Sequence, residues 1–296
     1  MPLTPISSLM RAAHSGGYAV GYFESWNLES LQGVIDAAEA TKSPVIIGFN
    51  GEFLSNPKRL IAEQLDWYSA LGRAAANIIR VPFGYIFNEC PDDEWVRRAV
   101  TAGFNLVMPV PATGESHKAY TARTATIVRY AHAHGVAVEA ELGTLPYGDD
   151  HPGETTDPEQ AAVFAGDTNI DLLAISAGNV HVLLDGKRRL DIDRIAALRK
   201  RMDIPFVLHG GTGIDDDSLR AAIKLGVTKV NYGTVLKQAY LGAIRRALST
   251  SEPNPHHLLG MGEQDDIMLA GRQAVRDAVI ARIEVLGCAG KAVTYA

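Results

Sequence analysis

Two histidines and a set of carboxylates are the side chains whose types and positions could do chemistry. His181 and His209 follow short apolar runs, at residues 172–177 and 206–208. Glu89 follows another, at 78–87, within Asn88-Glu89-Cys90; Glu139 and Glu141 lie in a fourth, at 137–142. Two imidazoles and a carboxylate at neighbouring strand ends can close a divalent-cation site that keeps open positions. A lone histidine is more simply a hydrogen-bonded structural residue. With Glu89 and Glu141 available to the pair, the pattern leaves both readings open. The run His209-Gly210-Gly211-Thr212-Gly213 is a second signal. Glycines between a strand and a helix let backbone N–H groups face an anion, or simply supply positive φ for a tight turn. Asn231-Tyr232-Gly233-Thr234 adds further hydrogen-bonding groups after a later run.

These residues need elements to hold them. Short apolar runs at 18–23, 44–49, 78–87, 106–110, 137–142, 172–177, 205–208 and 229–231 alternate with segments of helical spacing, among them 28–40, 92–101 and 116–134. Run length and the helical stretches between them favour repeated βα units. Eight units predict a (β/α)8 TIM barrel, a fold of about 250 residues. An open doubly wound sheet is the alternative, but no Gly-x-Gly-x-x-Gly follows the first strand. Residues 1–296 read as a single domain, with 267–286 as an additional C-terminal helix. The polar stretch 143–156, rich in Gly, Pro and Asp, reads as an active-site loop.

A barrel gathers function at the C-terminal ends of its strands. Reading the residue at or after each run gives Glu24, Asn50-Gly51-Glu52, Asn88-Glu89-Cys90, Glu139, Glu141, His181, His209 and Asn231. Many βα loops open on a polar residue for structural reasons alone, which accounts for part of this set.

The chain has 296 residues, 28 Lys+Arg against 34 Asp+Glu, and a formal net charge of −6. That balance argues against nucleic-acid partners and against a polybasic membrane patch. Apolar runs are too short to span a bilayer. The N-terminal residues lack the basic region and apolar run of a signal peptide. The two cysteines, Cys90 and Cys288, are too few for a secreted disulfide framework, so the expected compartment is cytoplasmic. Thiol catalysis at Cys90 is disfavoured because Glu89 beside it raises the thiol pKa; Cys288 reads as packing.

Several motifs, in order along nearly the whole chain, carry a resemblance. They are Asn27-Leu28-Glu29, Val138-Glu139-Ala140-Glu141-Leu142-Gly143, Thr156-Asp157-Pro158-Glu159, Leu208-His209-Gly210-Gly211-Thr212-Gly213, Gly226-Val227-Thr228-Lys229-Val230-Asn231 and Gly287-Cys288-Ala289-Gly290-Lys291. Together they resemble the class II, metal-dependent ketose-bisphosphate aldolases of the fructose and tagatose group. The resemblance implies a barrel, a zinc ion held by three histidines, and assembly as a homodimer or homotetramer. Two of those histidines fall on His181 and His209. The third belongs to a His-x-Asp-His motif that aligns with Ile86-Phe87-Asn88-Glu89, so Glu89 takes the metal position and Asn88 that of the proton-donating aspartate. Asn88 can hydrogen-bond but cannot act as an acid near neutral pH.

The resemblance also makes Glu141 a nearby or alternative ligand and puts the mobile-loop base on Asp149. It places phosphate or substrate contacts on Gly210, Gly211, Thr212, Asn231 and Thr234. A Gly and a Lys of the family's phosphate site become Val182 and Asp185, with Lys187 and Arg188 close by; a C-terminal helix or arm near a neighbouring subunit's site is implied too, which Arg282 and Lys291 could approach, though the sequence does not place them. The function implied is a divalent-metal-dependent aldehyde-lyase working through an enediolate on a small-molecule ketose or hydroxyketone, other than the usual bisphosphate. The alternatives are an isomerase or epimerase on the same metal site, and a non-catalytic sugar-binding or partner subunit.

Overall fold

The computed structural model describes residues 3–146, 153–249 and 251–292. Eight parallel strands close on themselves: β1 Val20–Glu24, β2 Val45–Asn50, β3 Phe83–Cys90, β4 Leu106–Pro109, β5 Ala137–Leu142, β6 Leu172–Ile175, β7 Phe206–Leu208 and β8 Val227–Tyr232. Closure is made by β1 on β8, with Val20 opposite Lys229 and Tyr22 opposite Asn231. The strands are covered on the outside by helices and filled on the inside by side chains, so they are buried on both faces. That is why they read as continuous apolar runs rather than alternating ones.

The helices are α1 Ile6–Gly16, α2 Leu28–Thr41, α3 Gly51–Ser55, α4 Leu65–Ile78, α5 Asp93–Ala102, α6 His117–Ala133, α7 Pro158–Thr168, α8 Ile192–Arg201, α9 Asp216–Lys224, α10 Thr234–Ala247, α11 Pro255–Leu258 and α12 Ile267–Leu286. Many start on a side-chain cap. Asn27, Asp92, Ser116, Asp157, Asp191 and Asp215 each accept a hydrogen bond from a first-turn backbone N–H. Polar residues after strands are therefore partly structural. No helix among the described residues is long and apolar enough to cross a membrane.

The structure corrects one local expectation and adds a helix. The run 78–87 is not one strand. Ile78 ends α4, and β3 begins at Phe83, after Pro82, which has no N–H to give a ladder. The amphipathic α1 was not anticipated. Its Ile6, Leu9, Met10 and Ala13 are buried, and it closes the barrel end opposite the site, where Thr4 N–H donates to Phe83 O at 2.9 Å. The expected additional C-terminal helix is α12. It packs on α2 and α10 and reaches β1, burying Val275, Val279, Ile283 and Leu286. Arg272 fastens it, forking onto Asp36 at 2.5 and 2.8 Å.

The plug role of α1 predicts an asymmetry. Leu9→Ala, at a fully buried side chain, should lower the unfolding free energy in urea by about 2–5 kcal/mol. Leu60→Ala, at a wholly exposed one, should stay within about 0.5 kcal/mol of the parent.

Candidate active site

Inward-facing residues of a barrel strand recur every second position, and the site is built on that period. Lys229 and Asn231 share the inner face of β8, and Glu139 projects from β5. His209 follows β7 directly, and Asn50 ends β2. Glu89 reaches the site by a distortion. The β3–β4 register shifts between Phe87 and Cys90, and Glu89 sits at φ 52°, in the left-handed region. That conformation costs an L-residue about 1–2 kcal/mol, which suits a position held for function rather than for pairing.

The groups form one buried line across the barrel mouth. Asn50 Nδ2 donates to Glu89 Oε2 at 2.7 Å. His209 Nδ1 lies 2.7 Å from Glu89 Oε1, and its Nε2 lies 3.0 Å from Glu139 Oε1. Lys229 Nζ is 2.7 Å from Glu139 Oε2 and donates to Asn231 Oδ1 at 2.6 Å. His181, half-buried, places Nε2 3.9 Å from Glu89 Oε1.

These contacts set the charge states. Burial would raise the Glu89 pKa, but the hydrogen bond and charge of His209, with His181 and Lys229 beyond, pull it down to about 2. Burial likewise opposes ionisation of Glu139, which Lys229 and His209 reverse, so its pKa is lowered. Burial would lower His209, but Glu139 and Glu89 outweigh it and raise the imidazole to about 9. Glu141 has no such clamp. Burial, with Glu89, Glu139 and Glu52 adding to it against His209, pushes it up to about 7.

Ligand atoms of Glu89, His181 and His209 all lie within 4.8 Å of one another. Two imidazoles and a carboxylate at that spacing fit a divalent transition-type cation. The outer nitrogen of a metal-binding histidine is normally held by a carboxylate, the place Glu139 takes on His209. The adjoining pocket, of ≈ 80 Å³, is lined in part by Tyr22, Asn88, Asn231 and Tyr232. Tyr22 OH, Asn88 Oδ1, Asn231 Nδ2 and Tyr232 OH are buried with no hydrogen-bond partner among the described residues. Buried polar atoms are rarely left so. Tyr232, one position on from Asn231, belongs to the outer face of β8 with Arg282 and Asp216 nearby, and the other three mark the outline of a polar ligand.

The family model described as fructose-bisphosphate aldolase class-II matches residues 4–291. The chain belongs to the class II fructose-bisphosphate aldolase family. It is 33% identical to the fructose-bisphosphate aldolase of Geobacillus stearothermophilus, over 99% of each chain. It is 30% identical to the sulfofructosephosphate aldolase of Alkalicoccus urumqiensis, over 97% of this chain and 98% of that one. The crystal structure of the YdjI aldolase from Escherichia coli K12 superposes with a TM-score of 0.82 at 32% identity, covering 99% of this chain and 100% of that one. The family is divalent-metal-dependent, and its members are carbon–carbon lyases.

Within this aldolase barrel the structure brings together most of the residues that sequence singled out. Glu89, His181 and His209 converge, and Asn88 and Asn231 line the same pocket. Glu141 is not among the converging donors. Asp149 lies outside the described residues. Gly210 and Thr234 line the pocket. Gly210 is at φ 67°, and a Cβ there would come 1.8 Å from Val180 O, so the glycine is required by the turn itself. Gly211 is buried in the following turn, Gly211–Gly213. Thr212 has a structural duty as well, its Oγ1 accepting from Val235 N–H at the start of α10.

Further residues named by the resemblance have contacts of their own. Asp185 is exposed, with Oδ1 accepting from Gly186 N–H. Lys187 Nζ is bonded to Thr212 O at 2.8 Å. Arg282 lies 3.5 Å from Asp216, and Lys291 sits over the Tyr18 ring, both inside the chain. Sequence reading passed over Lys229, Tyr22 and Lys237. The available signal for Lys229 was a charge within a short apolar run, two residues before Asn231. Tyr22 and Lys237 had none, since a tyrosine in a strand and a lysine early in a helix are ordinary.

Two expectations follow from the titration states. His209 has its folded pKa raised from 6.5 to about 9. Its stabilising contribution is therefore complete below about 6.5 and is lost as pH rises through about 9, up to roughly 3 kcal/mol. Chelator-treated protein should lose thermal stability between pH 7 and pH 10 by about that amount, and Glu139→Gln should flatten the profile. Burial pushes both thiols, Cys90 and Cys288, up to about 12. Neither should react with a disulfide reagent at pH 8 until urea unfolds the chain.

Proposed function

We propose that this aldolase makes or breaks a carbon–carbon bond in a ketose or sugar-derived hydroxyketone other than the doubly phosphorylated sugar. Glu89, His181 and His209 hold the cation in this reading, and zinc is the ion best matched to two imidazoles and one carboxylate. The observation that carries it is the convergence of those donor atoms within 4.8 Å. When bound, the cation polarises the substrate carbonyl and stabilises the enediolate left after bond cleavage.

The protein's own groups do the rest. Glu139 fixes the His209 ring through Nε2. Lys229 fixes Asn231 by its carbonyl oxygen, which leaves the amide N–H groups turned to the pocket. They can hold a substrate oxygen as it gains negative charge. Asn88 offers an acceptor to a substrate hydroxyl but no proton. Tyr22 adds a hydroxyl from the pocket wall. Asp149 takes the role of moving the carbon-bound proton on the resemblance alone, and assembly as a homodimer or homotetramer rests on the same ground.

Substrate choice follows from the groups that no longer serve phosphate. Val182 occupies the wall where the family has glycine, and Lys187 is engaged by Thr212 O. Thr212 Oγ1 is engaged by α10. The sulfofructosephosphate aldolase among the relatives supports a family whose substrates vary.

Metal content and product analysis test the proposal together. Wild-type protein should purify with, or take up, a stoichiometric divalent ion by mass spectrometry. Glu139→Gln should weaken cation affinity about 10–100-fold, and Glu89→Ala should weaken it further. Cleavage of an unphosphorylated ketose to two shorter carbonyl compounds should fall in step. Failure of the wild type to hold a cation, or ketose interconversion without cleavage, would reject the lyase reading.

A further inference from the structure

A second and larger cavity, of ≈ 300 Å³, adjoins the pocket beside the metal donors. Glu24, Asn50, Phe53 and Lys237 line both, so the two share a wall. The far side of the second cavity carries Trp26, Phe49 and Tyr68. Asn50 links the two: its side chain holds Glu89 at the metal donors and borders the aromatic space. The first pocket is small for a whole sugar, and the second is at the lower end of the range for ligand cavities.

Ser25 gives an independent sign that something polar enters. It lines the second cavity, is only 1% exposed, and its Oγ has no hydrogen-bond partner among the described residues. A buried hydroxyl in that condition is destabilising unless a ligand completes it.

Charge says what kind of ligand. Two cations line the cavity, and each is already matched. Lys237 Nζ lies 2.6 Å from Glu24 Oε1, with its ammonium 4.7 Å from the Phe53 ring centre. Arg59 is paired with Glu63, and it also donates to Phe53 O and Ile61 O, both at 3.2 Å. A phosphate here would meet two carboxylates and no uncommitted guanidinium. Aromatic faces beside an amide, a hydroxyl and carboxylate oxygens instead suit the C–H faces and hydroxyls of a sugar chain.

We propose that this cavity is the subsite for the part of the substrate remote from the metal, and that it takes a neutral, hydroxylated carbon chain. The aldehyde fragment is thus an unphosphorylated sugar. The proposal rests on the aldolase reading above, with the carbonyl end at Glu89 and His209 and the chain passing Asn50 toward Ser25.

The test is ligand-observed NMR on the full chain, with D-erythrose and D-erythrose 4-phosphate as probes, before and after chelator treatment. D-Erythrose should bind saturably in both states. Saturation of aromatic protons should transfer most strongly to the carbons remote from the aldehyde. The 4-phosphate should bind at least about tenfold more weakly, the effect of a charge set against paired carboxylates. Ser25→Ala should weaken D-erythrose binding roughly three- to tenfold while leaving Tm unchanged or higher, because the free protein loses only an unpartnered hydroxyl. Equal or tighter binding of the phosphate, no saturable D-erythrose binding, or a lowered Tm in Ser25→Ala would each overturn the subsite. Saturable D-erythrose binding together with no cleavage in the ketose assay above would instead reject the lyase reading and leave the subsite standing.

Discussion

The structure of the site depends on a carboxylate sealed inside the barrel. Glu139 is fully buried and so is Lys229, which clamps one of its oxygens while His209 clamps the other. A buried ion pair gains little over apolar packing, but removing one partner leaves an uncompensated charge and costs about 3–5 kcal/mol. Three strands are thereby tied into one register: β5 through Glu139, β7 through His209 and β8 through Lys229. Asn231 inherits its orientation from the same lysine, and Glu89 its depressed pKa from the same histidine. The groups assigned to catalysis are therefore held by an electrostatic framework rather than by loop packing, which is how a site stays within the small tolerance that catalysis needs.

That framework also says what a cation would exchange for on entering. Without a cation, Glu89 and Glu139 are balanced by Lys229 and by a His209 imidazolium that donates to both carboxylates. The Nδ1 proton lies between His209 and Glu89, the two donors a cation would share. Cation uptake at the proposed donors would displace it, so binding would release a proton and compete with acid. After the exchange the net charge of the cluster is one unit more positive, and that excess faces Asn88 and Asn231 at the pocket. A substrate oxygen gaining negative charge would find it there, in surroundings with little water to screen it.

The barrel was legible in the sequence because its signal is redundant. Buried parallel strands leave contiguous apolar runs, and eight of them with helices between admit few folds. The boundaries that failed are those where an apolar run crosses two elements, as Ile78 and Phe83 do on either side of Pro82. The helix α1 was missed because its apolar face seals the bottom of the barrel, a demand that the βα repeat does not express. His181, His209 and Glu89 could be found as ligand-type residues at strand ends, and the resemblance gave them partners. Lys229 and Ser25 could not be valued from sequence. A lysine within an apolar run becomes informative only when Glu139 is seen opposite it, and an unpartnered hydroxyl has no sequence signature at all.

Glu89 in the place of an imidazole, as proposed above, would change more than one ligand. Three neutral histidines would leave a divalent ion its full double charge, whereas a carboxylate cancels half of it. The ion is then held more tightly by Coulomb attraction but polarises a carbonyl less strongly. Glu89 itself is held by a left-handed backbone and by an amide from Asn50 on its second oxygen. It also lowers the positive potential that would draw in a polyanion. Glu24 and Glu63 act in the same direction in the neighbouring cavity, each neutralising a cation that could otherwise grip a phosphate. The metal position and the remote cavity thus differ from a bisphosphate site in one consistent sense. A reduced charge at the carbonyl end and a neutral aromatic space at the other would both suit the proposed substrate, which carries hydroxyls where a bisphosphate carries its second phosphate.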